Sequence, residues 1–407
     1  MASFPAWASW NFRIQAFSTA ISTIGINAGP IAFAFAVLQA GGSASDVGLV
    51  TAARTAPVIV FVLYAGAIGD RISRKSMMVA SNLVSAVSFM CFGLALQQGW
   101  HNIVVMCALS FAAGTATAFY YPAAEAANLQ IIDAENPEKS LATLRLIQNS
   151  GQIIGAGIGG GIVALCGPAL GLICCGIVFV PAAILRLGLL LPAVANVDKR
   201  ENLWLNMRTG WQEFIRFRWL WAMVLQMSLV NAMVVGFMGV LGPIYARSSP
   251  WGAAGWGLVL TFQTVGFMIG GLAMTRLRPR KLLLFGNAAS LLFVLLPCAL
   301  IFGLPLPLAA TASLAGGVGD EIYGVCWLAA LRQEVSQAKM SRVASYDMFC
   351  SIAFAPLGGV IAGPLEEHFG LQPSLVVISL FITLSTIAVM LLRDVRSMSR
   401  QTLADVS

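Results

Sequence analysis

Apolar runs of about twenty residues, each closed by a short polar turn, follow one another along almost the whole chain, and a run of that length is what an α-helix needs to cross a bilayer. They fall at 14–39, 46–68, 76–97, 102–126, 141–165, 169–191, 219–245, 253–275, 282–302, 306–331, 342–364 and 371–392. Twelve such spans take up roughly 240 residues, which leaves only short connections in a chain of 407. With 58% of its residues hydrophobic, the chain is well above the about 45–50% of soluble domains. The sequence therefore reads as an all-α polytopic membrane protein of twelve transmembrane helices. The first apolar run is too long for a signal-peptide core, has no basic residue before Arg13 and no cleavage pattern, so it is expected to stay as the first span.

One long polar interruption, "VDKRENLWLNMRTGWQEFIRFR" from Val197 to Arg218, divides the spans into six and six. This predicts an N-terminal six-helix bundle over 1–192, a cytoplasmic linker over 193–218, a C-terminal six-helix bundle over 219–393 and a cytoplasmic tail over 394–407. Inside the linker, Leu203, Trp204, Met207, Trp211, Phe214 and Ile215 recur at helical spacing beside Lys199, Arg200, Arg208, Arg216 and Arg218. That pattern suits an amphipathic helix lying on an anionic leaflet; a regulatory or partner-binding segment is the alternative.

The net charge of +7 does not point to nucleic acid, because the basic residues form small clusters between apolar runs and no single patch. They gather at Arg71–Lys75, Lys139–Arg145, Arg186–Arg218, Arg276–Lys281, Arg332–Arg342 and Arg393–Arg400, all on one side of a twelve-span chain. The positive-inside rule makes that side, and both termini, cytoplasmic, with the chain integral to the cell (inner or plasma) membrane. Among the opposite turns only one carries a basic residue, Arg247, and another carries Glu366 and Glu367. Eight cysteines sit in apolar segments without metal-ligand spacing, as small packing residues would.

Charges within spans are costly and mark functional candidates. Asp320 and Glu321, in "GGVGDEIYGV", fall near the middle of the tenth span. A carboxyl is expensive to ionise there, so the pair is the leading candidate for a proton-titratable site, with hydrogen-bonded packing as the alternative. Adjacent residues point about 100° apart on a helix, so one of the two is expected to face a central cavity, and Glu321 is preferred. Arg54 in the second span is a candidate for binding an anionic group or pairing with an acid of the other half, with a snorkelling structural arginine as the alternative. Glu125, after "FYYPA", either lines the cytoplasmic mouth or pairs at the interface with Lys139 or Arg145. Aromatics such as Phe33, Tyr120, Tyr121, Tyr323 and Trp327 suit an apolar pocket and suit packing equally well.

The two halves echo each other. "GAIGDRISRK", Gly66 to Lys75, closes the second span, and "GGLAMTRLRPRK", Gly270 to Lys281, closes the eighth; Asn149–Gly160 in the fifth is matched by Cys350–Ile361 in the eleventh. Two pseudo-symmetric six-helix bundles explain the echo. Gly66, Asp70, Arg71, Arg74 and Lys75 resemble the loop signature of the major facilitator superfamily between spans two and three, with Ser73 where that family usually has a glycine. "NPEKSLATLRLIQNSGQIIGAGIGG" and "LRQEVSQAKMSRVASYDMFCSIAFAPLGG" resemble the branch that contains macrolide-efflux proteins and enterobactin-type exporters.

That resemblance covers essentially the whole chain and implies a secondary active transporter exporting an amphipathic small molecule by proton antiport with alternating access. It implies no cofactor beyond the proton gradient, and a small-molecule substrate and the bilayer as partners of a monomer. An importer or facilitator is the alternative within transport, and a membrane receptor or enzyme the remote one, since no nucleophile–base set, metal cluster or P-loop is visible. By resemblance Asp70 and Arg71 brace the bundles in the outward-facing state, the other reading being a positive-inside anchor, and Asp347 is expected to join that bracing network. Gly151, Gly155 and Gly159 resemble the antiporter signature G-x-x-x-G-P-x-x-G, with Ala156 in place of the proline; generic helix packing is the alternative. The same stretch satisfies G-x-G-x-x-G through Gly155, Gly157 and Gly160, but glycines inside an apolar span lack the strand–turn–helix context of a dinucleotide site. The acid that exporters of this family often carry in the first span is absent, Ile26 and Asn27 standing after Gly25, which leaves Asn27 as a substrate-binding candidate.

Overall fold

The computed structural model describes residues 9–69, 73–132, 137–191, 212, 214–216, 218–335 and 337–399. Most of the proposed linker helix, and Asp70 and Arg71, lie outside the described residues. Among the described residues there is no strand, and ten helices are long and apolar enough to cross a membrane.

Helix ends follow local chemistry. The first span, Trp10–Gln39, is capped by Ser9, whose hydroxyl accepts from the Phe12 N–H. The second runs Ala44–Gly69, and the third, Arg74–Gln97, starts at Ser73, which accepts from the Ser76 N–H at 3.1 Å. The departure from the family's glycine at position 73 is thus a helix cap. The fourth span, Ile103–Ile131, is capped by Asn102. Pro137–Leu187 is a continuous helical run broken only at Gly167, with φ 81° and ψ 161°. Gly171 lies against Val163, so the chain doubles back there and the run supplies both the fifth and sixth spans.

In the second half the seventh span is Arg218–Gly236, a π-turn over Phe237–Leu241 and Gly242–Ser248. Pro243 has no N–H, which frees the carbonyl four residues earlier. Thr51 of the second span donates to that carbonyl, on Gly239, at 3.4 Å. The eighth span is Gly252–Arg276; the ninth joins Leu282–Ser290, a 3₁₀ turn over Leu291–Val294 and Leu295–Ile301. The tenth, Leu306–Glu334, carries Asp320 and Glu321. The eleventh begins at Gln337, earlier than the sequence suggested, and breaks between Gln337–Ile352 and Ala355–Phe369, just before Pro356. Leu371–Met390 is the twelfth, followed by a short helix, Arg393–Ser397. Ten apolar helices, one of them doubled at Gly167 and joined by the acid-bearing tenth span, are consistent with twelve crossings.

Gly167 occupies a backbone region essentially reserved for glycine, and no atom would meet a Cβ built there. Gly167→Ala therefore carries backbone strain and no steric clash. It is expected to cost about 1–3 kcal/mol, read as a lower thermal unfolding temperature in detergent. An unchanged unfolding temperature would contradict the reversal at this residue.

The bundles meet through small residues, as close helix contact in lipid requires. Between the second and eleventh spans, Gly48 faces the Gly359 carbonyl and Gly363 faces Ser45. Between the fifth and eighth, Gly160 faces Gly257. At the tip of the first pair, Glu367 accepts from both the N–H and the hydroxyl of Ser45, each at 2.8 Å, so a carboxylate of one bundle caps a helix of the other. These contacts lie toward the face that the sequence assigns to the outside, where the second and eleventh spans touch.

Candidate functional site

The fifth and eighth spans touch at Gly160 and Gly257, and the charged residues gather beneath that contact. Glu321 lies against the eighth span: its Cβ is 3.0 Å from the position a Cβ on Gly270 would take, and Oε1 is 3.6 Å from that on Gly271. Only glycines leave room for a carboxylate between these helices. Arg145, on the fifth span, lies within electrostatic range of Glu321. Arg145 also holds Glu125 of the fourth span at 3.5 Å, with side chains 66% and 44% exposed. That pair is open to water, and an exposed ion pair contributes about 0–1 kcal/mol. Arg145 is therefore weakly held and stands between an acid of its own bundle and an acid of the other.

Asp320 shares a helical face with Tyr323 and Trp327, three and seven residues on. Tyr323 is buried, whereas Glu321 packs on the eighth span at Gly270 and Gly271. Among the described residues Asp320 has no hydrogen-bond partner or ion pair.

Arg54 donates to the Ile26 carbonyl at 3.1 Å and sits 5.9 Å from the centre of the Phe33 ring, while its Nε has no partner. Among the described residues no carboxylate pairs with it. Asn27, next to Ile26 on the first span, donates one of its two amide N–H groups to the Thr23 carbonyl of its own helix at 2.9 Å.

Asp347 accepts from Trp327 Nε1 at 2.8 Å and from the Ser351 hydroxyl at 3.3 Å. It is tied within the C-terminal bundle, and Asp70, the proposed bracing partner, is outside the described residues. Gly66 falls in the last turns of the second span. Arg74 donates to the Ala126 carbonyl at 3.0 Å and Lys75 to the Leu187 carbonyl, so both cations cap the C-terminal ends of neighbouring spans, where the helix dipole favours them.

Gly151, Gly155 and Gly159 all face the first span, against Ala20, Ile24 and Ala28 in turn. Their four-residue spacing lays one stripe on that helix. Ala156, in the position of the family's proline, and Gly160 lie on another face, toward Gly257 of the eighth span. The fifth span thus binds its own bundle with one glycine face and the opposite bundle with another.

Sequence reasoning grouped Arg186 with the cytoplasmic anchors, and the structure corrects this. Arg186 is 0% exposed. Its two terminal nitrogens donate to Ser22 at 3.0 Å, Tyr120 at 2.8 Å and Thr19 at 3.4 Å, and the guanidinium lies 4.9 Å from the Tyr120 ring centre. The signal was present, since the apolar run continues beyond Arg186 through Leu191. The Ser45–Glu367 clasp had no signal, because its partners are 322 residues apart.

The model of the Major Facilitator Superfamily matches residues 15–350. The multidrug efflux pump Tap of Mycolicibacterium fortuitum is 28% identical over 391 residues, covering 89% of this chain and 91% of that protein. The multidrug efflux pump Tap of Mycobacterium tuberculosis (strain ATCC 25618 / H37Rv) is 23% identical over 407 residues, covering 96% and 95%. Among solved structures, the nucleoside transporter NupG superposes with a TM-score of 0.75 at 12% identity, covering 95% of this chain and 99% of that one. A bacterial homologue of the human lysosomal transporter Spinster superposes with a TM-score of 0.73 at 13% identity, covering 96% and 97%.

Proposed function

The chain belongs to the major facilitator superfamily, and from that premise we propose that it is a secondary active exporter that moves an amphipathic small molecule outward in exchange for protons. What supports this reading is the Glu321 carboxylate seated mid-span against the glycines of the eighth span, within electrostatic range of Arg145, whose exposed pair with Glu125 holds it only weakly. Two efflux pumps similar along nearly the whole chain support the export direction.

In this mechanism Arg145 has two positions. With Glu321 ionised, Arg145 is drawn across the seam and the inner ends of the fifth, eighth and tenth spans close. A proton on Glu321 removes that attraction, Arg145 returns to Glu125, and the inner side opens. A differential interaction of a few kcal/mol is enough to invert a two-state population. Asp320, one residue away, places a second acid on the same element. Arg54 and its aromatic surroundings form the N-terminal wall of the substrate cavity. An importer or facilitator is the competing reading, favoured by the fold-level likeness to a nucleoside transporter.

The test uses the full chain in liposomes with an imposed pH gradient and a fluorescent amphipathic dye. Gradient-driven movement is expected for the wild type, to be lost in Glu321→Gln, and to be weakened in Asp320→Asn. Equal dye movement by the wild type with and without the gradient would remove antiport and leave a facilitator.

A further inference from the structure

The turn between the eighth and ninth spans holds a cavity of about 500 Å³ lined by Leu277, Arg278, Arg280, Lys281, Leu284 and Phe285. It lies between the end of one candidate membrane helix, Gly252–Arg276, and the start of the next, Leu282–Ile301, and so at the boundary between hydrocarbon and water. Three cations rim it, and none of the three has a hydrogen-bond partner or ion pair among the described residues. No acid occurs between Glu213 and Asp320 in the sequence, so local chain offers no counter-ion.

The equivalent turn of the first half is built differently. There Arg74 and Lys75 are engaged by the carbonyls of Ala126 and Leu187, and Ser73 caps the following helix. In the second half the cations are free, and Lys281, preceding the ninth span, provides no side-chain cap. Pseudo-symmetric basic turns thus differ: Arg74 and Lys75 are engaged by backbone carbonyls, and Arg278, Arg280 and Lys281 have no partner among the described residues.

We infer that this cavity is a binding site for one anionic phospholipid, its phosphate held by Arg278, Arg280 and Lys281 and its acyl chain laid along Leu284 and Phe285. Guanidinium groups match phosphate oxygens with paired donors, and the apolar floor continues into the bilayer. Phe285 is 37% exposed and Leu277 43%, which is surface an acyl chain covers and a free anion does not. On the topology read from the sequence, the site faces the leaflet in which anionic lipids bring basic side chains their stabilisation.

The experiment is a titration of the purified full-length protein in detergent with phosphatidylglycerol, phosphatidylcholine or inorganic phosphate, with bound mass read by native mass spectrometry. One phosphatidylglycerol per chain is expected to bind in preference to phosphatidylcholine. A basic side chain near anionic lipid contributes about fivefold in affinity, so Arg280→Gln is expected to weaken binding about fivefold and the triple Gln variant about a hundredfold. Leu284→Asn with Phe285→Asn is expected to weaken it too, whereas Arg74→Gln with Lys75→Gln is expected to leave it unchanged. The inference is overturned if the Arg280→Gln and triple variants bind phosphatidylglycerol as the wild type does. It is also overturned if the Arg74/Lys75 variant loses as much, or if inorganic phosphate at millimolar concentration displaces the lipid.

Discussion

Gly48→Leu is expected to hold the transporter open on its outer side and to stop transport. A Cβ at position 48 would lie 2.2 Å from the Gly359 carbonyl oxygen, and the atom it meets is backbone, which has no rotamer into which to retreat. Overpacking of this kind costs about 1–3 kcal/mol or more, and a penalty of about 3 kcal/mol confined to the closed state moves the ratio of states by roughly a hundredfold. Gly160→Leu should act in the same direction from the other seam, since its Cβ would lie 2.5 Å from the Ala253 carbonyl oxygen. Gly161→Ala serves as a control, because no atom lies within reach of a Cβ there. The readout is labelling of Thr51→Cys by a membrane-impermeant thiol reagent added from outside, together with dye transport. Labelling that stays at the level of the glycine parent, with transport intact, would mean that the second and eleventh spans do not form the outer seal.

Arg186→Ala should cost about 2–5 kcal/mol, the range for truncating a large, fully buried side chain. Its side chain supplies donors to Ser22, Tyr120 and Thr19 at once, and its loss leaves both a void and polar groups without partners. Arg186→Met refills most of the volume without the donors and is expected to cost less. Arg186→Lys replaces a planar fork by a single ammonium, which cannot span three hydroxyls fanned over two nitrogens. The ordering Ala, then Lys and Met, then wild type in thermal unfolding is the expected result. An Ala variant that unfolds with the wild type would show that the cation is not structural, and would return Arg186 to the surface-anchor reading taken from the sequence.

Gln226 and Thr386 make the matching contact in the C-terminal bundle, at 3.2 Å, where the N-terminal bundle has the Arg186 network. The halves are thus related in backbone and have diverged in polar content. The buried cation is on one side and the acids Asp320, Glu321 and Asp347 on the other.

Much of the molecule is legible in the sequence because its solvent is simple. A bilayer demands a fixed length of apolar helix, so the spans from Trp10–Gln39 to Leu371–Met390 could be read to within a few residues at most ends. Charge inside such a run is costly enough to be conspicuous, which is how Arg54, Asp320 and Glu321 were found. Arg186 escaped because it sits near the end of its run, where a buried cation and a positive-inside anchor look alike. Glu125 has two readings in the sequence, and its 3.5 Å contact with Arg145 exists only because the fourth and fifth spans lie side by side.

The sequence by itself determined the class of the protein: span length, six-plus-six division, charge asymmetry and the paired loop motifs each follow from local composition and spacing. Only the tertiary structure decided which faces meet. It put Gly151, Gly155 and Gly159 on the first span while Gly160 meets the eighth, sent the Glu367 carboxylate to cap a helix of the other bundle, and left Arg278, Arg280 and Lys281 free where Arg74 and Lys75 are engaged. The physical reason is that the bilayer, through the hydrophobic cost of every residue, fixes how long each helix must be but exerts almost no preference among helix pairs. Pairing is settled by close packing and by polar groups finding partners far away in the chain, and neither is written in any local stretch.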